Sequence, residues 1–264
     1  MLHGIVTAPV IDLRAAPEFK SERLSQALFG TPIEIIEPGK EYSRIRLIEG
    51  YRGWSKNSHI MQINYEYWKK YLEAPKYVVK SNCVIIKNKS KKRIIPHRLY
   101  FGTRLILSEV KCRTYFTIPS WDKIRIEKKF LKKIPRKISK GITGETLVKT
   151  AERFLGAPYL WGGITPAGFD CSGLVQSVCR FHSLEVPRDS KDQRDVGFAI
   201  ERHELKPGDL LFFEGHVAIS RGGLDIIHAN LRRGMVSYDL LDPQSPIYRK
   251  DLDDGFLFAR RLSL

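Results

Sequence analysis

The fold of the C-terminal half of this chain is decided by the stretch Phe169-Asp170-Cys171-Ser172-Gly173-Leu174-Val175. It follows a loop rich in glycine and proline, and its apolar positions continue at helical spacing through Leu174, Val175, Val178 and Phe181. Asp170 is a favourable N-cap residue, so Cys171 is predicted in the first turn of a helix. At that position the unpaired backbone N–H groups and the helix dipole favour a thiolate over a thiol, as a nucleophile requires. Cys179, further along the same helix, is interpreted as an ordinary buried cysteine.

Two histidines lie in a predicted β-hairpin downstream of this helix. The apolar segments His216–Ser220 and Leu224–His228 flank a glycine turn, which is typical of a hairpin. A turn centred on Gly222 would set His216 opposite His228, with Cβ atoms about 4.5–5.5 Å apart. In that geometry one imidazole takes the proton of Cys171, and the other holds the tautomer of the first.

These three residues leave two chemistries open. Cysteine, then histidine, then an orienting polar residue is the order of papain-like proteases, in which the cysteine opens a long helix and the histidine lies on the sheet. A zinc ion held by Cys171, His216 and His228 is the alternative. Zinc ranks second, because a metal site leaves the helix-start position of the cysteine unexplained and no C-x-x-C or H-x-x-x-H pair accompanies it.

Residues 141–264 resemble the NlpC-type cell-wall cysteine peptidases. The resemblance is carried by a set of motifs in order, namely Tyr159-Leu160-Trp161-Gly162-Gly163, Asp170-Cys171-Ser172-Gly173, Pro187-Arg188-Asp189-Ser190 with Gln193, Pro207-Gly208-Asp209, and the two histidines. It implies a papain-like peptidase domain that hydrolyses the bond after γ-D-glutamate in peptidoglycan stem peptides. It also implies that no cofactor is needed.

The resemblance assigns roles to individual residues. Cys171 corresponds to the nucleophile, His216 to the general base and His228 to the residue that orients it. The substrate pocket of members that bind a free N-terminal L-alanine corresponds to Tyr159, Trp161, Asp170, Ser172, Asp189 and Ser190. In such members a tyrosine of an SH3-like domain closes one end of the groove, and Tyr51 is the candidate here. The third residue of the stem peptide, L-lysine or meso-diaminopimelate, stays open.

The N-terminal half is predicted to hold two related β-domains. Short strands are predicted at Gly4–Val10, Pro32–Ile36, Arg44–Leu47 and Gly53–Trp54, and this segment resembles a bacterial SH3-like domain. Leu28-Phe29-Gly30-Thr31 recurs as Tyr100-Phe101-Gly102-Thr103, which predicts a second copy with a turn at each Gly-Thr. Between the copies, Tyr65–Leu72 is predicted to be a short helix or a packing connector.

The predicted fold class is therefore α+β, a papain-like cysteine peptidase domain preceded by two small SH3-like β-barrels. The domains are predicted at residues 1–64, 73–137 and 141–264. The last is expected to open with a helix at Thr143–Gly156 and to hold antiparallel strands at about 209–214, 216–220, 225–229, 235–240 and 256–262.

The charge of the chain is concentrated in one segment. Residues 76–140 contain 20 Lys and Arg but 3 Asp and Glu, whereas the other residues contain 25 basic and 26 acidic ones. A patch of this kind suits an anionic wall polymer, a membrane surface or nucleic acid, and a solvated basic face explains it equally well. No specific nucleic acid is expected, since the sequence holds no recognised nucleic-acid-binding motif.

Compartment and function class follow from weaker signals. The four cysteines (Cys83, Cys112, Cys171 and Cys179) are irregularly spaced, and neither a signal peptide nor an 18-residue apolar run is seen, so a cytoplasmic protein is expected, with the periplasm or cell envelope as the alternative. Two other functions stay open. One is an acyltransferase or amidase on the same fold, and the other is a non-catalytic protein that binds the cell wall or a polyanion.

Overall fold

The computed structural model describes residues 2–74, 76–86, 96–110, 113–116, 124–134 and 141–264. Contacts divide the chain into two compact units, Met1–Ile134 and Pro135–Leu264. Cys112 and part of the basic segment 76–140, including residues 135–140, lie outside the described residues. No helix in these described ranges is both long and apolar enough to cross a membrane.

The first strand set of the N-terminal unit is a seven-stranded antiparallel sheet. Its strands are β1 (Leu2–Val6), β2 (Val10–Arg14), β3 (Arg23–Leu28), β4 (Pro32–Glu37), β5 (Tyr42–Leu47), β6 (Arg52–Lys56) and β7 (Ile60–Ile63), in the sheet order β3-β2-β6-β5-β4-β1-β7. The continuous strand predicted at Gly4–Val10 is wrong, because the chain turns between β1 and β2 at Pro9, whose nitrogen cannot donate to a ladder. Alternate residues of these strands fill the core, as Ile11 and Leu13 of β2 do.

A second strand set repeats this arrangement. After the helix α1 (Tyr65–Glu73) come β8 (Lys76–Val79), β9 (Cys83–Ile85), β10 (Arg98–Tyr100), β11 (Arg104–Val110), β12 (Arg113–Phe116), β13 (Ile124–Arg125) and β14 (Leu131–Lys133). Strand β8 pairs with β11 and β14, as β1 pairs with β4 and β7. The turns predicted at Gly30 and Gly102 are confirmed, since both glycines have positive φ angles, 76° and 85°.

The two strand sets share one core. Ile5 and Phe29 of the first set pack in the same cluster as Tyr71 of α1 and Leu105 and Phe116 of the second set. The Phe29 and Phe116 rings meet edge to face at 5.7 Å. The two strand sets therefore share buried residues. The predicted division into separate domains at 1–64 and 73–137 stays a prediction.

The C-terminal unit places helices against an antiparallel sheet. The longer helices are α2 (Gly144–Glu152) and α3 (Cys171–Phe181), and the short ones are α4 (Ser190–Gln193) and α5 (Lys250–Asp254). A small hairpin of β15 (Ile164–Thr165) and β16 (Gly168–Phe169) precedes α3. The main sheet has the order β17-β22-β18-β19-β20-β21 and contains β17 (Phe198–Ile200), β18 (Leu210–Phe213), β19 (His216–Gly222), β20 (Asp225–Asn230), β21 (Met235–Leu240) and β22 (Phe256–Arg261).

The predicted elements of this unit are confirmed with small changes at their ends. Helix α2 stops at Glu152, four residues before the predicted end at Gly156. Strand β17 was not predicted; it is short, and Phe198 and Ala199 at its start are exposed, so it lacks the apolar alternation of a half-buried strand. Helix α3, which begins at the predicted cysteine, packs on β19 and β20, the strands that carry the two predicted histidines.

Candidate active site

Helix α3 begins as the sequence predicts. Asp170 has extended backbone angles, and its Oδ1 accepts a 2.6 Å hydrogen bond from the backbone N–H of Gly173. Its Oδ2 accepts another from the N–H of Gly162, at 2.8 Å. One carboxylate therefore caps the helix and ties down the preceding loop, and it leaves Cys171 as the first helical residue.

Gly173 is required by this arrangement. A Cβ atom there would lie 2.1 Å from the carbonyl oxygen of Gly163 and 2.8 Å from Oδ1 of Asp170. The first contact is with backbone, which cannot move aside as the end of a flexible side chain can. Gly173 therefore lets the start of the helix lie against the backbone of Gly163.

Arg188 pairs with the N-cap carboxylate. Its Nη2 and Nη1 donate to Oδ2 and Oδ1 of Asp170 at 2.6 and 3.0 Å, and Nη1 also donates to Oγ of Ser172 at 2.8 Å. All three side chains are buried. The sequence placed Arg188 in a motif without giving it a role, and the structure shows it neutralising Asp170 directly beside the nucleophile.

The Cys171 thiol is buried, and its electrostatic surroundings differ from the prediction. Burial, followed by the negative charge of Asp170, raises the pKa of Cys171 to about 11, although the backbone N–H groups of Val217 and Ser172 act in the opposite direction. The predicted lowering of this pKa is wrong, because desolvation of the thiolate outweighs the hydrogen bonds at the helix start. The resting nucleophile is a thiol.

The other described cysteines have no part in the site. Cys179 is buried in α3, where burial raises its pKa to about 12, so the interpretation as a core residue is confirmed. Cys83 is exposed, and neither it nor Cys171 or Cys179 forms a disulfide.

The two histidines meet, but not in the predicted register. Ile219 pairs with Ile227, and the ladder is irregular before the turn, so direct opposition of His216 and His228 is wrong. Carried back along both strands, this register sets His216 opposite Asn230 instead. The difference is two residues, and since side chains alternate between faces with a period of two, both histidines keep the same face and are diagonal neighbours.

A chain of hydrogen bonds fixes the tautomer of both histidines. His216 Nε2 lies 2.7 Å from His228 Nδ1, and His228 Nε2 lies 2.9 Å from Oδ2 of Asp239. A carboxylate only accepts, so His228 Nε2 carries the proton and its Nδ1 accepts from the Nε2–H of His216. The nitrogen left to accept the proton of Cys171 is Nδ1 of His216.

Asp239 is the acceptor that holds this chain, and sequence reasoning missed it. It is fully buried, with Arg249 Nη1 at 2.7 Å from Oδ2 and Arg233 Nη2 at 2.5 Å from Oδ1. Asn230 Nδ2 donates to Oδ2 as well, at 2.8 Å. Burial opposes its ionisation, but hydrogen bonds from His228 and Arg233 win and lower the pKa of Asp239 to about 2. The only sequence signal was an acidic residue at a buried position of a predicted strand.

Both imidazoles are neutral near pH 7. Burial is the main cause, and it lowers the pKa of His216 to about 3, with His228 second. Burial also lowers the pKa of His228, against the opposing effect of Asp239. His216 is therefore an unprotonated base, and Cys171, on the helix that packs against the strand of His216, is a protonated thiol. These are the protonation states that general-base activation during attack requires.

The zinc alternative does not fit this geometry. Both ring nitrogens of His228 are engaged, one by His216 and the other by Asp239. No group of three or more potential metal-ligating side chains is found within the residues that the structure describes.

Of the predicted substrate-pocket residues, Asp170 and Ser172 lie at the start of α3, and the others differ in exposure. Tyr159 is partly buried, and burial, with Cys171 the second cause, raises the pKa of its phenol to about 12. Trp161 is 58% exposed on the loop that precedes the cysteine. Asp189 and Ser190 are half-buried at the start of α4, so Asp189 is more accessible than the buried Asp170. Their roles in binding stay predictions.

Tyr51 lies in the N-terminal unit. Its ring packs against the core of the first strand set, and its hydroxyl donates a 3.4 Å hydrogen bond to the carbonyl of Leu24. Its predicted part in closing the groove stays a prediction.

Two known protein families match this chain, one in its C-terminal half and one in its N-terminal half. Residues 156–252 match the NlpC/P60 family, and residues 9–61 match the bacterial SH3 domain. These matches confirm the predicted resemblance in the peptidase half and in the first strand set.

Relatives and a solved structure extend over nearly the whole chain. Dipeptidyl-peptidase 6 of Lysinibacillus sphaericus is 28% identical over 95% of this chain and 96% of its own length. The γ-D-glutamyl-L-lysine dipeptidyl-peptidase of Bacillus cereus is 28% identical over 85% of this chain and 72% of its own. A crystal structure of an NlpC/P60 family protein from Bacillus cereus has the same fold, with a TM-score of 0.83 at 24% identity over 98% of this chain and 99% of that one.

Proposed function

Because the C-terminal domain of this chain belongs to the NlpC/P60 family of cysteine peptidases, we propose that the protein hydrolyses the bond between γ-D-glutamate and the following diamino acid in peptidoglycan stem peptides. The observation that carries this proposal is the hydrogen-bonded chain from His216 through His228 to Asp239, behind a cysteine at the start of α3. Peptides with a free N-terminal L-alanine are the preferred substrates, which makes the enzyme one of murein peptide turnover or recycling.

The geometry supports acyl transfer through a thioester. Nδ1 of His216 takes the proton of Cys171 as the sulfur attacks the γ-carbonyl, and backbone N–H groups at the helix start stabilise the oxyanion. His216 then gives that proton to the departing amine, which leaves a thioester on Cys171. A water molecule, deprotonated by His216, hydrolyses the thioester and restores the thiol. His228 and Asp239 keep the accepting nitrogen of His216 turned towards the sulfur throughout.

Charge favours substrates that have a free N-terminal amine. A carboxylate that the substrate can reach binds the ammonium group of L-alanine best. Asp170 is buried and paired with Arg188, so the half-buried Asp189 is the better candidate. An alanine that is amide-linked to muramic acid has no such charge.

Defined peptides test the proposal. L-Ala-γ-D-Glu-L-Lys and L-Ala-γ-D-Glu-meso-diaminopimelate should each yield L-Ala-D-Glu, identified by mass, and the Cys171→Ala variant should yield none. Acetylation of the substrate amine should abolish cleavage. Efficient release of fragments from intact sacculi would contradict the free-amine requirement, and no cleavage of either peptide would contradict the function itself.

We also propose that the basic segment 76–140 contacts an anionic polymer or membrane surface. Its excess of lysine and arginine supports this, although part of it lies outside the described residues. Binding of the full chain to wall polymer or anionic vesicles should weaken between low and high ionic strength. Salt-insensitive binding, or none, would favour a solvated face.

A cytoplasmic location likewise stays a proposal, to be tested by cell fractionation.

A further inference from the structure

A cleft opens on the histidine side of the site. It has a volume of about 330 Å³ and is lined by His216, His228, Asn230, Leu231, Arg232, Arg249 and Leu252. None of the residues predicted to bind the alanine and glutamate part of the substrate lines it. The cleft therefore lies beside the general base and apart from the predicted acyl pocket.

Its position suits the part of the substrate that leaves. The amine released by cleavage receives its proton from His216, and this imidazole is one wall of the cleft. The remaining atoms of the leaving amino acid extend away from that nitrogen. Leu231 and Leu252 provide apolar contact surface for an aliphatic side chain such as that of a diamino acid.

The charged side chains that line the cleft are all cationic. Arg249 is buried, and its guanidinium is already held by Asp239 at 2.7 Å and Asp251 at 2.7 Å. Arg232 is different, because its side chain is 72% exposed and its nearest described carboxylate is Asp251, at 3.8 Å. Both oxygens of Asp251 already accept from Arg249, at 2.8 and 2.7 Å. Arg232 therefore has N–H groups available for a second anion.

We propose that this cleft receives the amino acid released by the reaction, and that Arg232 binds a carboxylate of that residue. The inference rests on the proposed function. Two carboxylates have this chemistry, the main-chain carboxylate of a residue that ends the peptide and the distal carboxylate of meso-diaminopimelate. The distal ammonium of L-lysine has the opposite charge and gains nothing from Arg232.

Four peptides separate the two sources. All begin with L-Ala-γ-D-Glu, and they end in L-lysine, L-lysine amide, meso-diaminopimelate, or meso-diaminopimelate with its main-chain carboxylate amidated. Their leaving residues carry, in that order, the main-chain carboxylate, neither carboxylate, both, and the distal one alone. The assay measures kcat and KM for each peptide with the wild-type enzyme, with Arg232→Gln and with Lys250→Gln.

Lys250 is the matched control. Its side chain is 73% exposed on α5, the helix that carries Leu252; it pairs with Asp254 and does not line the cleft. Loss of one positive charge there reproduces the change in net charge without touching the proposed contact.

Arg232→Gln should raise KM about tenfold, which corresponds to about 1.4 kcal/mol, for the peptides that carry the bound carboxylate. The kcat should change little, because the lost charge-assisted hydrogen bond holds the substrate and takes no part in the chemical step. For the peptide that ends in lysine amide, Arg232→Gln should leave KM unchanged. Lys250→Gln should leave kcat and KM unchanged for all four peptides. A loss confined to the two diaminopimelate peptides identifies the distal carboxylate. A loss confined to the two peptides with a free main-chain carboxylate identifies that group.

The same data would overturn the inference. Equal effects of Arg232→Gln on all four peptides, or no effect on any, would show that Arg232 does not bind a leaving-group carboxylate while the peptidase function stands. If the wild-type enzyme cleaves none of the four, the proposed function fails and the inference falls with it.

Discussion

Replacing Asp239 by Asn tests whether the buried carboxylate holds the catalytic base in its working tautomer. The substitution preserves volume and removes the charge that accepts from His228 Nε2 and from Arg233 and Arg249. An amide also has a donor end, so one of the present donors must face an N–H group. If that donor is His228, its ring changes tautomer, His216 must follow, and Nδ1 of His216 no longer accepts the thiol proton.

The size of the effect follows from the structure. Lowering the pKa of Asp239 from 3.8 to about 2 means that folding favours the ionised carboxylate by roughly 2 kcal/mol. Removing the negative charge that faces Arg233 and Arg249 adds to this, although Arg249 keeps Asp251, so the unfolding free energy should fall by about 2–4 kcal/mol. Since general-base catalysis supplies about 10²–10⁴-fold and Asp239 acts on it through His228, kcat should fall about tenfold to a hundredfold with KM nearly unchanged.

Asp209→Asn is the matched control. Asp209 is also buried and accepts from Arg261 at 2.8 and 2.7 Å, but it lies at the Ser220 end of β19, away from His216. The Asp209→Asn variant should have a lower free energy of unfolding than the wild type but the same kcat. The assays are urea unfolding of the full chain, steady-state kinetics at a temperature where each variant is folded, and ¹⁵N NMR of the histidine rings. A wild-type kcat in Asp239→Asn, with unchanged ring-nitrogen shifts, would refute the reasoning.

Four further outcomes are expected. Cys171→Ser should abolish hydrolysis with the fold intact, whereas Cys179→Ala should keep most activity; equal loss in both would remove the assigned nucleophile. His228→Gln, which can still accept from His216, should keep more kcat than His228→Ala, and equal kinetics would show that no hydrogen bond is needed there. Because burial raises the pKa of Cys171 to about 11, the rate of alkylation by iodoacetamide should rise about tenfold per pH unit from pH 6 to 10. A rate that stays constant over this range would indicate a preformed thiolate instead. Since the folded pKa of Asp239 lies below 3.8, its contribution to stability is present above about pH 4 and is lost as the pH falls towards 2, so Asp239→Asn should flatten the acid unfolding curve in that range.

Local signals in the sequence determined where the nucleophile would be. An N-cap, a glycine and apolar residues at helical spacing act within a few positions of each other, so Asp170 and Cys171 could be placed at the start of α3 before any fold was known. The turns at Gly30 and Gly102 were predictable for the same reason. The histidine pair was placed on one face correctly even though the register was wrong, because an error of two residues does not change the face of a strand.

Only the tertiary structure decided what surrounds those residues. Arg188 binds Asp170, 18 residues away in sequence, and Asp239 binds His228, 11 residues away. No local sequence pattern predicts these side-chain pairs. The direction in which the pKa of Cys171 moves also depends on tertiary structure. A helix N-terminus lowers a thiol pKa and burial raises it, and how deeply α3 packs against β19 and β20 is a property of the assembled layers. Helix starts and strand faces are set by neighbours in sequence, whereas burial and ion pairing are set by neighbours in space.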